Sequence, residues 1–528
     1  MERYNLKKFR FQLALITLLQ LSIFSSFTEA QFYPFTDISN SYARTEISLL
    51  HKQGIVMGDG KGRFYPNQPV TRAEFVTMLG RTLGIKPVNS PIQAFRDVPQ
   101  RHWGNGWIHA GAQLGLIGGT SPSTFDPSRY ISRQEAAAIL VRSQKPRYIE
   151  NADVAVSDAE EIADWAAPYV KEAIRSGYMS GYQGQFRPKS HMTRQEMAVV
   201  LNRLLSVPVA NPGNKSKPIQ LAWQYGGTST DFIQNVQNST VNVLSPRWFF
   251  LNDSGNITDN GDGALVKWAH QNGKQVWAMV GNRFDAALTH QAISQEAKRK
   301  AIINQIVSYS KKYQLDGVNI DFENVQPSDK NNYTSFIREL SAALKANHVI
   351  LSIDVPPDLG NSWSAAYDYK ALGSLVDYMV VMSYDEHWSG GPKAGSVASL
   401  PWFTQNLQKM TSAVPAKKVI AGIPLYTRDW YTMNGKVLSK DLLIPELYSL
   451  LAEKKPRMVW DSVKGQYIAT YTKDGVKHSI WLEESRSISE KMRKVYELGI
   501  SGAAYWHIGG GTTDVWTAIE NIGKMENR

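Results

Sequence analysis

The sequence predicts an α/β fold, a (β/α)8 barrel over residues 218–528, preceded by an all-α domain of three repeats over residues 31–206. Three observations carry this expectation. From Ile219 onward, short apolar runs alternate with helical stretches, the pattern of a parallel sheet. Eight such runs fall within roughly 300 residues, the size of an eight-stranded barrel. Before them, residues 35–205 carry one unit three times at a period of about sixty residues. A chain of 528 residues with 43% apolar and 11% aromatic side chains is globular and long enough for two or three domains.

Residues 1–30 have the make-up of a signal peptide. Arg3, Lys7, Lys8 and Arg10 form a basic start, Leu13–Phe27 an apolar middle, and Thr28-Glu29-Ala30 a cleavage site before Gln31. Gln20, Ser22, Ser25 and Ser26 make this run a poor membrane span, and no other apolar run is long enough to be one. The chain has no cysteine, so export would be without disulfides, which fits a Gram-positive-like envelope. The formal net charge of +11 falls to +9 without the four basic and two acidic residues of the leader. With no nucleic-acid motif in view, anionic wall polymers are the expected partner of that charge.

The first repeat runs from FTDIS at Phe35 to QPVTRAEFVTML at Leu79. The second runs from FRDVP at Phe95 to Arg142, and the third from VSDAEEI at Val156 to Leu204. Each is a helix, a glycine-marked turn and a second helix, giving approximate spans of 35–85, 95–144 and 156–206. The second helix opens each time on a capping box, Thr71 to Glu74, Ser132 to Glu135 and Thr193 to Glu196. One place after each cap stands an arginine, Arg72, Arg133 and Arg194, where a guanidinium beside free backbone N–H groups would make an anion site. Residues 207–217 read as a linker rich in Pro, Asn, Gly and Ser.

The expected barrel strands are 219–224, 240–245, 275–280, 317–322, 350–355, 378–383, 419–423 and 502–506. The fourth lies in Leu315–Val325, LDGVNIDFENV. Asn319, Asp321 and Glu323 share one face, and Val318, Ile320 and Phe322 the other. A half-exposed strand with a polar side is one account of this alternation. The flanks are too apolar for a solvated edge, so a catalytic row is the better account, because buried carboxylates cost free energy unless used. Asp321 beside Glu323 gives one acid an ionised neighbour, which raises the pKa of the other as a general acid near neutrality requires. Polar and aromatic residues also mark later strand ends: Tyr384 and Asp385 after the sixth, Tyr426 and Arg428 after the seventh, Trp506 after the eighth. His387, in DEHW with Asp385 and Glu386, has no second histidine at ligand spacing, so no metal and no cofactor are expected.

Two resemblances join these observations. The three repeats resemble the S-layer homology domain, which implies a three-pronged helical bundle holding an anionic secondary cell-wall polymer. Asp37, Asp97, Asp158 and Trp103 match that domain's opening acid and nearby aromatic, and join Arg72, Arg133 and Arg194 as expected polymer-binding residues. The LDGVNIDFENV stretch resembles the DxxDxDxE signature of family-18 glycosidases at Asp316, Asn319, Asp321 and Glu323, with Asn319 where the pattern has an acid. Within that family the chain looks most like the branch of bacterial spore-cortex N-acetylglucosaminidases, whose small inserted α+β piece corresponds to 431–482. The resemblance implies Glu323 as proton donor, Asp321 and Tyr384 as partners of the substrate's acetamido group, and Asp316, Asn319, Asp385, Tyr426, Arg428 and Trp506 as substrate-binding residues. The expected protein is a monomeric, secreted, wall-attached enzyme cutting β-linked N-acetylglucosamine glycans, with no membrane contact after leader removal. A sugar-binding lectin or a structural surface-layer component is the alternative.

Overall fold

The structure is a computed structural model describing residues 33–144, 156–206 and 217–526. The expected signal peptide and residues 207–216 of the expected linker lie outside the described residues. Among the described residues, no helix is long and apolar enough to cross a membrane. The chain divides into two compact units. One takes in the chain up to Met78, Arg129–Ala138 and the third repeat; the other takes in Leu79–Ser128, the stretch from Ile139, and the barrel.

The first unit is built around a ring of three equivalent segments. The Val70 N–H donates to the Met192 carbonyl (2.9 Å), Met192 to Ile131 (3.0 Å), and Ile131 back to Val70 (2.9 Å). All three capping boxes form: the backbone N–H of Thr71, Ser132 and Thr193 donates to Oε2 of Glu74, Glu135 and Glu196 at 2.8, 2.9 and 2.8 Å. The other oxygen of each glutamate takes an arginine from a neighbouring repeat. Arg72 pairs with Glu135 (3.0 Å), Arg133 with Glu196 (3.1 Å) and Arg194 with Glu74 (3.2 Å), closing a cycle. Arg133 and Arg194 also donate to backbone carbonyls, Arg133 to Phe186 and Ser180, Arg194 to Phe64 and Met57.

This corrects the expected anion sites. All three guanidiniums are shielded from solvent and bound to acids of the fold; a partner was needed because an unpaired buried cation is very costly. The opening acids are likewise committed. Asp37 accepts the N–H groups of Phe64 and Tyr65 (2.8 Å each), Asp158 those of Phe186 and Arg187 (2.8 and 2.6 Å). In the other unit Asp97 takes those of Phe125 and Asp126 (2.9 and 2.7 Å). The second donor of each pair, Tyr65, Asp126 or Arg187, has a left-handed φ of 59, 55 or 57°, so each carboxylate holds a strained turn in place.

In the second unit the strands are β1 (Ile219–Trp223), β2 (Val243–Ser245), β3 (Arg247–Leu251), β4 (Ile257–Asp259), β5 (Gln275–Gly281), β6 (Gly317–Asp321), β7 (Ile350–Val355), β8 (Tyr378–Val381), β9 (Val419–Pro424), β10 (Tyr426–Met433), β11 (Lys436–Leu443), β12 (Arg457–Asp461), β13 (Gln466–Lys473), β14 (Val476–Trp481) and β15 (Gly502–Trp506). Strands β1, β2, β5, β6, β7, β8, β9 and β15 pair in parallel, and the β2–β5 pairing closes them into an eight-stranded barrel. Its interior is filled by Leu221, Trp223, Val243, Met279, Val380, Ile420 and Ala504. Strands β10–β14 form a separate antiparallel sheet that, with the helix Ile444–Lys454, makes the inserted α+β piece.

The insertion begins earlier than residue 431. Tyr426 and Arg428 lie in its first strand, β10, rather than at the end of barrel strand β9, because only Leu425 separates the two. The segment between the first and second repeats packs with the barrel. Lys86 exchanges backbone hydrogen bonds with the Asn521 amide (2.8 Å each), and Ile92 joins Leu442, Leu447, Tyr467 and Ile480 in one apolar cluster.

The Arg–Glu cycle makes a stability prediction. Arg194→Ala leaves the Phe64 and Met57 carbonyls and Glu74 without their donor, and lowers stability by about 1–3 kcal/mol. Arg194→Lys does not restore it, because an ammonium cannot serve three acceptors in the guanidinium's fixed fork. Unfolding midpoints of the full chain check this; a wild-type midpoint in either variant would show the cycle to be dispensable.

Candidate functional site

Strand β6 sends Val318, Ile320 and Phe322 outward, where Phe322 stacks on Phe336 of the helix Lys330–Lys345 (5.5 Å between centroids). Asn319 and Asp321 therefore point into the barrel mouth, and Glu323 follows the strand end. The Asn282 side chain clamps the Glu323 backbone at both ends: its amide donates to the Glu323 carbonyl (2.6 Å), and its oxygen accepts the Glu323 N–H (3.1 Å).

Asn319 is fully buried and makes four hydrogen bonds. Its oxygen accepts from Trp223 Nε1 (2.9 Å) and Ser245 Oγ (3.1 Å), and its amide donates to Ser352 Oγ (3.0 Å) and Asp354 Oδ1 (2.8 Å). It supports the floor of the site and has nothing left for a substrate. Asp316, also expected to bind substrate, lies at the opposite end of the strand. There it accepts the Val276 N–H (2.8 Å) and meets His270 (2.9 Å), because five residues of strand separate the two ends of a barrel.

Burial lifts Asp321 to about 6, against the pull of the Arg247 guanidinium. Glu323 rises further, to about 8, through burial first and then the charges of Asp321 and Asp385, with Arg247 again opposing. The two acids are thus pushed apart, one poised to keep a proton and the other to lose it. Two groups were missed in the sequence. Asp354, at the end of β7, is buried and held well above the carboxylate range by burial and by Asp321. Its one signal was an acid inside the apolar run ILSIDV. Arg247 opens β3, a strand that was not anticipated, and its guanidinium lies 5.0 Å from the Tyr225 ring and 5.8 Å from the Trp506 ring.

Trp506, at the end of β15, meets Trp223 edge-on (5.9 Å) and Tyr225 at a tilt (5.5 Å). Tyr384 and Asp385 follow β8. With Glu323 they line a cleft of about 680 Å³ whose walls include Phe284, Trp363, Trp388 and Trp402. Tyr426 spends its hydroxyl on Asp385, and Arg428 reaches Asp385, the His387 carbonyl and Asp441, each at 2.8 Å. These two hold Asp385 in place, and Arg428 also borders the cleft. His387 is turned onto the Ser396 carbonyl (2.9 Å).

The first unit has a groove of about 520 Å³, lined by Tyr42, Arg133, Tyr182, Arg187 and Arg203 among others. Tyr42, Tyr182 and Arg187 are exposed there, and none of the lining residues but Arg133 was anticipated. Trp103, in the second unit, is exposed and stacks on His102 (5.5 Å).

A closed parallel barrel with an acid pair at its mouth is the frame of a glycosidase, and the comparisons agree. The family model described as glycosyl hydrolases family 18 matches residues 223–511, and the chain belongs to this family. The S-layer homology domain matches at 34–76, 94–137 and 157–198. The uncharacterized glycosylase YvbX of Bacillus subtilis is 29% identical over 316 residues, 58% of this chain and 91% of its own length. The cortical fragment-lytic enzyme of Bacillus anthracis is 29% identical over 43% of this chain, which spans about half (54%) of that relative. The crystal structure of a chitinase from Chromobacterium violaceum superposes with a TM-score of 0.54 at 25% identity, covering 58% of this chain and 98% of that one. The protein is a glycosidase with S-layer homology repeats.

Glu323→Gln removes the transferable proton while leaving the Asn282 clamp on the backbone intact. Turnover is expected to fall by about two orders of magnitude or more, with an unchanged unfolding midpoint. Near-normal hydrolysis by the folded variant would remove Glu323 from the role of acid.

Proposed function

We propose that this enzyme cuts β-linked N-acetylglucosamine glycans of the cell wall, or chitin-like ones, with the substrate's own acetamido group as nucleophile. The observation that carries it is the split between Glu323, pushed to about 8, and Asp321, pushed only to about 6. Between those values Glu323 holds a proton and Asp321 is an anion. Glu323 protonates the leaving glycosidic oxygen. The acetamido oxygen attacks the anomeric carbon from the other side of the ring, forming an oxazolinium ion. Asp321 accepts the acetamido N–H and offsets the positive charge, and Tyr384 donates to the acetamido oxygen. Glu323, now ionised, takes a proton from water as it opens the oxazolinium, so configuration is retained. Asp385 is tied to Arg428 and Tyr426, which fits a binding role better than that of a free nucleophile.

The substrate test separates the two kinds of chemistry. An N-acetylglucosaminide should be cut and the matching glucosaminide or glucoside should not, and a thiazoline mimic of the oxazolinium should inhibit. Activity should peak between pH 6 and 8, lost on the acid side as Asp321 gains a proton and on the alkaline side as Glu323 loses one. Comparable cleavage without the acetyl group would overturn substrate assistance. Digestion of peptidoglycan and of chitin, with sizing of the products, identifies the polymer.

The S-layer homology repeats are proposed to hold the secreted enzyme at the cell surface through an anionic wall polymer. The cations available for this are Arg187 and Arg203 in the groove of the first unit, with Tyr42 and Tyr182 as apolar walls. The double variant R187A/R203A should lose most of the fraction that pellets with cell-wall sacculi, and added salt should mimic it. Undiminished pelleting would exclude this groove.

A further inference from the structure

We infer that Asp354 is a positioning residue of the active site: an acid that keeps its proton through turnover and donates it to Asp321, so that Asp321 stays ionised and correctly turned. The inference rests on the assignment of Asp321 as the anion that steadies the acetamido group.

Register places the two acids together. Strands β6 and β7 pair in parallel with Ile320 opposite Ile353, and one step further puts Asp321 beside Asp354 at the mouth. In-register neighbours on adjacent strands lie about 4.8 Å apart along the backbone. Both point inward, since Asn319 and Asp354 meet inside the barrel at 2.8 Å. Asp354 is 1% exposed. Its two oxygens accept from neutral donors, the Asn319 amide and Trp223 Nε1 (3.2 Å), and among the described residues no cation is bonded to it. Asp321 Oδ1 is buried and accepts from no donor among the described residues. Two anions side by side in this apolar mouth would repel strongly, whereas one proton between them relieves the repulsion and supplies the missing donor to Oδ1.

The surrounding groups decide which acid keeps the proton. Arg247, from β3, favours the ionised forms of Asp321 and Glu323 but is not among the main influences on Asp354. Glu323 follows β6, Tyr333 comes from the helix Lys330–Lys345, and Tyr384 and Asp385 come from the loop after β8; all are neutral or negative there. Asp354 is held well above the carboxylate range by burial first and then by Asp321 itself. The proton never leaves the pair, so the reaction's proton balance is carried by Glu323 and water alone.

Asn is the neutral mimic of a protonated Asp354, and Val is a mimic of its shape without a donor. D354N should keep kcat/KM within about threefold and leave the acid limb of the pH profile in place, while D354V should lose about tenfold or more and move that limb to higher pH. A second measurement needs no substrate. A buried acid with a raised pKa costs stability progressively as pH rises from about 4, because the unfolded chain ionises first. The unfolding midpoint of D354N should therefore gain on wild type as pH rises from 4 to 7. A constant gap, or an acid limb moved down by a unit or more in D354N, would mean that Asp354 is an anion and would overturn the inference. So would a wild-type profile in D354V. Failure of the N-acetyl requirement in the wild-type enzyme would instead strike the functional assignment and leave the stability comparison standing.

Discussion

Desolvation at the barrel mouth is the constraint on which the site depends. Asp321, Asp354 and Glu323 are brought together by parallel pairing of adjacent strands, in a place largely closed to water. Water would have held all three ionised; the barrel does not. Their protons become unequal because each has a different neighbour. Arg247 draws down Asp321 and Glu323, Asp321 and Asp385 push up Glu323, and Asp354 has only neutral donors. Acid and anion roles thus come from position along two strands rather than from residue type.

Holding those acids still requires a second layer whose members are mostly amides and aromatics. Asn282 fixes the backbone of Glu323, Tyr367 donates to the Phe322 carbonyl (2.8 Å), and Asn319 ties β1, β2 and β7 to β6. An amide at 319 is suited to this place because it both accepts from Trp223 and Ser245 and donates to Ser352 and Asp354. A carboxylate there could only accept, and would add a further buried charge. The departure from the acidic pattern at 319 and the acid at 354 therefore belong to one arrangement. On the other side of the cleft, the inserted sheet supplies Tyr426 and Arg428 to fix Asp385, so the insertion takes part in building the site.

Much of this was legible in the sequence because strand periodicity is a local property. All eight barrel strands fall within a few residues of their expected limits, and Ile350–Val355 and Gly502–Trp506 coincide with them. The inward row of β6 followed from alternation alone. What could not be read is what depends on non-local register. Asp354 stands next to Asp321 only because β7 lies beside β6 without a shift in the register that pairs Ile320 with Ile353. Arg247 enters the mouth from a short strand that interrupts the expected alternation. Asp316 looked like a site residue because it stands in the motif, yet the length of β6 carries it to the far end. Tyr426 and Arg428, expected in the loop after the seventh barrel strand, stand in a strand of their own because the one-residue break between β9 and β10 leaves no turn signature.

The arginines of the repeats show the same limit in a different form. Their recurrence at one place after each cap was read as a shared ligand. The recurring glutamate two residues further on, explained as a cap, was the missing half. Each glutamate has two oxygens: one caps its own helix and the other receives the arginine of another repeat. Such a pair cannot close within one repeat, because Arg and Glu two apart on a helix point in different directions. Two repeats would leave one buried arginine and one glutamate unmatched; three close the cycle with none over. The cations of the motif are thus tied into that closure, while Arg187, exposed beside Tyr182, has its guanidinium 5.6 Å from that ring in the groove of the first unit.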